Sequence, residues 1–107
     1  MDAKSLTTLE LQKVLDRVAA CAAFSASKEL ARALVPTDDL SEACRRQAET
    51  SEARGLLASH SDLSVGGAHD IRPQTLAATR GAVLDPPALL DIKNTLVSAR
   101  SLRRLFD

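Results

Sequence analysis

His60, Asp62, His69 and Asp70 come nearest to a metal-binding set in this chain. Imidazole and carboxylate are ligands that zinc and non-haem iron accept, but the order H-x-D…H-D follows neither a zinc spacing nor a facial triad. A structural loop is the preferred reading. Ser61 and Ser64 lie near the two histidines. A nucleophilic triad is defined by geometry, however, and serines beside histidines in a polar loop are common by chance. Gly66-Gly67 is followed by no GK[ST] and Gly81 stands alone, so no phosphate-cradling loop is encoded. Arginines are the remaining candidates: Arg45 and Arg46 on one helical stretch, and Arg100, Arg103 and Arg104 on another, could reach phosphates. Against a nucleic-acid surface stand a net charge of zero, from 14 basic and 14 acidic residues, and a lack of stacking aromatics beyond Phe24 and Phe106. Solvated helix faces are favoured.

These residues are organised around Val65-Gly66-Gly67-Ala68-His69-Asp70-Ile71-Arg72-Pro73. Paired glycines permit positive φ or a close backbone approach, and Asp70 is a ready helix cap before Arg72-Pro73. We read Gly66, Gly67, Asp70, Arg72 and Pro73 as a structural corner, with Asp70 capping a short helix from Arg72 to Arg80 that turns Leu76 inward and stops at Gly81.

Upstream, Leu6, Leu9, Leu11, Val14, Leu15 and Val18 recur at helical spacing, predicting a helix over about residues 9–22 with Thr7 or Thr8 as cap. Ser25 is expected to cap a second helix, ended by Pro36, and Phe24 to anchor the resulting hairpin. Asp39 with Glu42 has capping-box spacing and opens a third helix from about Leu40 to Ser59, with a weak apolar stripe and incomplete ion pairing in which Glu49 finds no base at Ala53. Leu63 and Val65 should pin the loop that follows. Asp85-Pro86-Pro87 begins a last helix carrying Leu89, Leu90, Ile92, Leu96, Val97, Leu102, Leu105 and Phe106. Its closing stripe of Leu102, Leu105 and Phe106 calls for burial by other sequence, so the chain reads as an excerpt of a longer protein.

The chain is 107 residues long, 45% apolar and 26% charged, which predicts one ordered helical domain with one core of Ala, Leu, Val and Ile. No run approaches a membrane span, and the start lacks signal-peptide character, which gives a cytoplasmic expectation. Cys21 and Cys44, without CxxC spacing, are expected to be reduced and mostly buried. The fold class is all-α, with about five helices in a helical hairpin plus longer helices.

Several blocks together resemble a known family: Lys4-Ser5-Leu6-Thr7-Thr8-Leu9-Glu10, Ser27-Lys28-Glu29-Leu30 with Leu34-Val35-Pro36, Glu49-Thr50-Ser51-Glu52-Ala53-Arg54, Gly66-Gly67-Ala68-His69-Asp70-Ile71-Arg72-Pro73, and Leu84-Asp85-Pro86 before Leu89-Leu90-Asp91-Ile92. In this order they look like the extreme N-terminus of the second bacterial MutS family, departing at Ala68, where the family tends to have a larger aliphatic residue. The resemblance implies a helical segment at the start of the core, or lever, region that links a DNA-facing clamp to an ATPase. It implies a parent that is a homodimeric ATPase with a small-MutS-related nuclease domain, associated with branched DNA, suppression of recombination and rescue of collided ribosomes. None of the family's catalytic residues fall in these 107 positions. ATP and magnesium are therefore expected in the parent and bound elsewhere, with no cofactor, metal or membrane partner here, and the rest of the parent chain as the segment's partner.

Overall fold

A computed structural model describes residues 2–107, and among them every regular element is helical. Among the described residues there are six helices: α1 (Ala3–Thr8), α2 (Leu11–Ala20), α3 (Ser25–Arg32), α4 (Leu40–Ser59), α5 (Arg72–Thr79) and α6 (Pro86–Phe106). The all-α expectation holds, with one helix more than anticipated.

The extra helix comes from a break where residues 9–22 were expected to be continuous. Asp2 caps α1 by accepting from the Ser5 N–H at 2.7 Å. Thr7 and Thr8 lie inside α1, not at a cap, and their hydroxyls donate back to the Ala3 and Lys4 carbonyls. Glu10 then takes φ 55°, a left-handed conformation, which ends one helix and starts the next on a new axis. Phe24, half-buried, occupies the cap position of α3, and Ser25 is its first helical residue rather than its cap. That helix ends at Arg32, short of Pro36, and an irregular segment leads on to Asp39.

Asp39 behaves as expected: its carboxylate accepts from the Ser41 and Glu42 N–H groups at 2.8 and 3.3 Å and opens α4. Asp85 does the same for α6, accepting from Ala88 N–H at 2.9 Å. At the end of α5, Gly81 holds φ +83° while the Ala82 N–H reaches the Ala77 carbonyl and the Gly81 N–H the Ala78 carbonyl, a Schellman arrangement.

Packing is concentrated between α2 and α3, with α1 leaning on α2. Leu15 and Ala19, on one face of α2, are the only buried apolar side chains among the described residues. The one modest core expected is reduced to these two residues among those described. Leu76 is 52% exposed instead of facing inward. Leu63 is half-buried and Val65 exposed, so only the former pins the loop. Both cysteines are exposed, contrary to expectation, because α2 turns Cys21 away from its packed face and the weak stripe of α4 covers nothing fully.

The surface measures the openness: 8431 Å² is accessible, against about 5,800 Å² expected of a compact monomer of 11.4 kDa. The radius of gyration is 17.5 Å, where about 13 Å is usual for a compact chain of this length.

Candidate functional site

The corner is held by backbone and polar side-chain bonds. Ala68 N–H donates to the Val65 carbonyl at 3.0 Å, closing a tight turn around the two glycines. The Gly66 N–H is taken by Ser64 Oγ at 2.9 Å. Neither glycine uses a left-handed φ; among the described residues only Gly81 and Glu10 do. A Cβ built on Gly67 would meet Ser98 Cβ on α6 at an ordinary contact distance of 3.5 Å, whereas one on Gly66 would press on Ser64 Oγ at 3.1 Å, so the tighter approach is at Gly66. His69 N–H then donates to Thr95 Oγ1 at 3.0 Å, and the Thr95 hydroxyl donates to the Asp91 carbonyl at 2.8 Å. The loop is thus fastened along one face of α6.

Asp70 acts one position earlier than a formal cap, because Ile71 occupies the cap position of α5. Its Oδ1 accepts from the Arg72 N–H at 3.1 Å and from Nε at 2.8 Å, and Oδ2 accepts from Nη2 at 2.7 Å. Hydrogen bonding from the Arg72 guanidinium, followed by its backbone N–H, lowers the Asp70 pKa from 3.8 to about 2. Arg72 Nη2 also bonds both oxygens of Glu29 on α3 at 3.0 Å, tying the corner to the hairpin. Pro73 sits in the first turn of α5, where its missing N–H costs little.

No reactive constellation is assembled here. His60 Nδ1 meets Ser59 Oγ at 3.0 Å, while His69 Nδ1 stands 3.9 Å from an Asp91 carboxylate oxygen. Among the described residues no three His, Cys, Asp or Glu side chains come together as metal ligands. A nucleotide does not fit the glycine corner either, because Ser64 takes the Gly66 N–H and α6 stands against Gly67. Between the corner and α6 runs an open groove of about 390 Å³, lined in part by Leu63, Leu102 and Leu105. The two terminal leucines are half-buried along this groove, whereas Phe106 is exposed.

The candidate arginines fall into two sets on separate helices. Arg45 pairs with Glu42 at 2.8 Å and with Glu49, so Glu49 finds its base upstream and not at Ala53. Arg46 bonds Glu42 at 2.8 Å and the Val35 carbonyl at 2.7 Å, clamping the segment before α4 onto that helix. Hydrogen bonds from Arg45, then Arg46, hold the Glu42 pKa at about 2, down from 4.5. Arg103 lies 3.8 Å from Asp107, and Arg100 and Arg104 enter no ion pair among the described residues. Sequence reasoning missed the Arg72–Glu29 tie, for which partners 43 positions apart give no local signal.

The relatives of this chain define its class as MutS-like. Over 106 residues the chain is 43% identical to Endonuclease MutS2 of Pelotomaculum thermopropionicum, covering 99% of this chain and 14% of that protein. It is 42% identical over 107 residues to Endonuclease MutS2 of Symbiobacterium thermophilum (100% and 14%), and 38% identical over 106 residues to that of Alkaliphilus metalliredigens (99% and 13%). The chain belongs to the MutS2 family, as a segment spanning about 14% of the length of these relatives. No family profile and no solved structure matches it.

Proposed function

We propose that this segment is a non-catalytic structural and mechanical module, the helical N-terminal start of the core or lever region in a MutS-like ATPase. In that parent it links the nucleic-acid-facing clamp to the ATPase. The observation that carries the reading is a whole-length match to a seventh of each relative by a chain that, among its described residues, buries only Leu15 and Ala19. ATP and magnesium are held by other parts of the parent, a homodimer that acts on branched DNA or collided ribosomes in the cytoplasm. No helix among the described residues is long and apolar enough to cross a membrane. Residues 1–107 alone are expected neither to hydrolyse ATP nor to cut nucleic acid, and either activity in the purified segment overturns the proposal.

A second reading, direct contact with nucleic acid or the ribosome, draws support from Arg100 and Arg104, which have no acidic partner among the described residues. Arg45 and Arg46 support it less, being engaged by Glu42, Glu49 and Val35. Salt-dependent binding of the segment to branched DNA or ribosomes, lost when Arg100, Arg103 and Arg104 become alanine, favours this second reading.

A further inference from the structure

One face of α6 is used by the corner, through Thr95 against His69 and Ser98 against Gly67. The opposite face carries a shallow groove of about 400 Å³ lined by Leu89, Ile92, Lys93, Leu96, Val97 and Arg100, all from α6 itself. Leu89 and Leu96 are 53% and 63% exposed, and Leu90 and Val97 are exposed beside them. Leu89 and Leu96 lie open to solvent with Ile92 half-buried between them, and their i, i+3, i+7 spacing is that of a helix seam.

Between the capping residues of α6, Asp85 and Asp107, the second of which pairs with Arg103, the charges along this face are positive. Lys93 stands within the apolar half, and Arg100, Arg103 and Arg104 follow in the last turns. The only acid within α6, Asp91, is on the corner side near His69. We infer that the Leu89–Ile92–Leu96 face of α6 is the seat of an amphipathic helix from the remainder of the parent polypeptide, with an aliphatic stripe flanked by aspartate or glutamate. A second copy of α6 fits poorly: antiparallel pairing centred near Leu96 sets Lys93 against Arg100, and parallel pairing sets each cation against itself. Nucleic acid would answer the arginines but leave Leu89 and Leu96 in water. The accessible surface exceeds that of a compact monomer by roughly 2,600 Å² over the whole chain, to which this face contributes.

This inference rests on the proposal that the segment works inside a longer chain, and its test uses that full-length parent. A photoreactive benzoylphenylalanine is placed at Leu89 or Leu96, exposed sites whose replacement removes no buried packing, with Leu30 on α3 as a control position. After irradiation, peptide mapping should place the Leu89 and Leu96 cross-links on one helical segment of the same polypeptide, outside residues 1–107, with acidic residues beside its apolar stripe. Arg100→Glu should lower that yield about fivefold, the size of one interfacial ion pair, and a reciprocal acid-to-lysine change in the mapped segment should restore it. Cross-links to a second copy, to nucleic acid or to no target overturn the inference. If the segment alone is still inert towards ATP and nucleic acid in that case, the structural-module proposal stands and only the assigned face falls.

Discussion

Glu10 holds φ 55° with a side chain that favours the right-handed region, and it does so at the joint between α1 and α2. Its contact with Lys13 at 2.7 Å is solvent-exposed and returns little. Glu10→Gly should therefore raise stability by about 1 kcal/mol, read as a higher midpoint in thermal denaturation, while Glu10→Val should lower it. Asp70 and Glu42 give a pH signature of defined sign. Each has a folded pKa of about 2, below ordinary values of 3.8 and 4.5, so each contribution is complete above the ordinary value and is lost as pH falls towards 2. Stability measured by helical circular dichroism should decline across that window and not between pH 6 and 8. Added salt should flatten the decline, because both groups are solvent-accessible. Asp70→Asn should remove part of it.

At the scale of elements, the α2–α3 pair is the one tightly packed unit, and Ala19, fully buried, lets the two helices approach. Ala19→Leu inserts a branched chain into that contact and should cost about 1 to 3 kcal/mol, whereas Asp85→Ala removes a single cap bond and should cost about 1 kcal/mol. Chemical denaturation of the two variants checks that ordering. The elements that sequence made legible are those written in local capping chemistry: Asp39 before α4, Asp85-Pro86-Pro87 before α6, and Gly81 after α5. The break at Glu10 was not legible, because Thr7-Thr8-Leu9-Glu10 contains no glycine or proline and the apolar spacing continues through it. The turn at Gly66-Gly67 was legible, but what fastens the residues after it was not. Thr95 and Glu29 lie 26 and 43 positions from their partners, and only the tertiary path brings them there. Apolar spacing along α6 likewise announced an amphipathic helix without saying which of its two apolar faces the corner would occupy.

For the whole molecule, exposed apolar side chains on α2, α4, α5 and α6 and a radius of gyration of 17.5 Å describe a framework whose helices touch mainly through loops, caps and exposed ion pairs. Little cooperativity can pass through such links: surface ion pairs contribute at most about 1 kcal/mol each, and the bridge from α3 to α5 is Arg72 to Glu29, both about three-fifths exposed. Unfolding of residues 1–107 in isolation should accordingly be broad in guanidinium, with a slope below that of a compact domain of equal length, because less surface is left to expose. Amide exchange separates the units further. Protection in the isolated segment should be highest in α2 and α3 around Leu15 and Ala19 and low through α5 and α6. In the full-length parent, amides of α6 should gain protection, since a covered helix opens only with whatever covers it. A sharp transition with uniform protection in the isolated segment would mean that these helices stabilise one another without a partner, and the mechanical reading of the module would lose its physical basis.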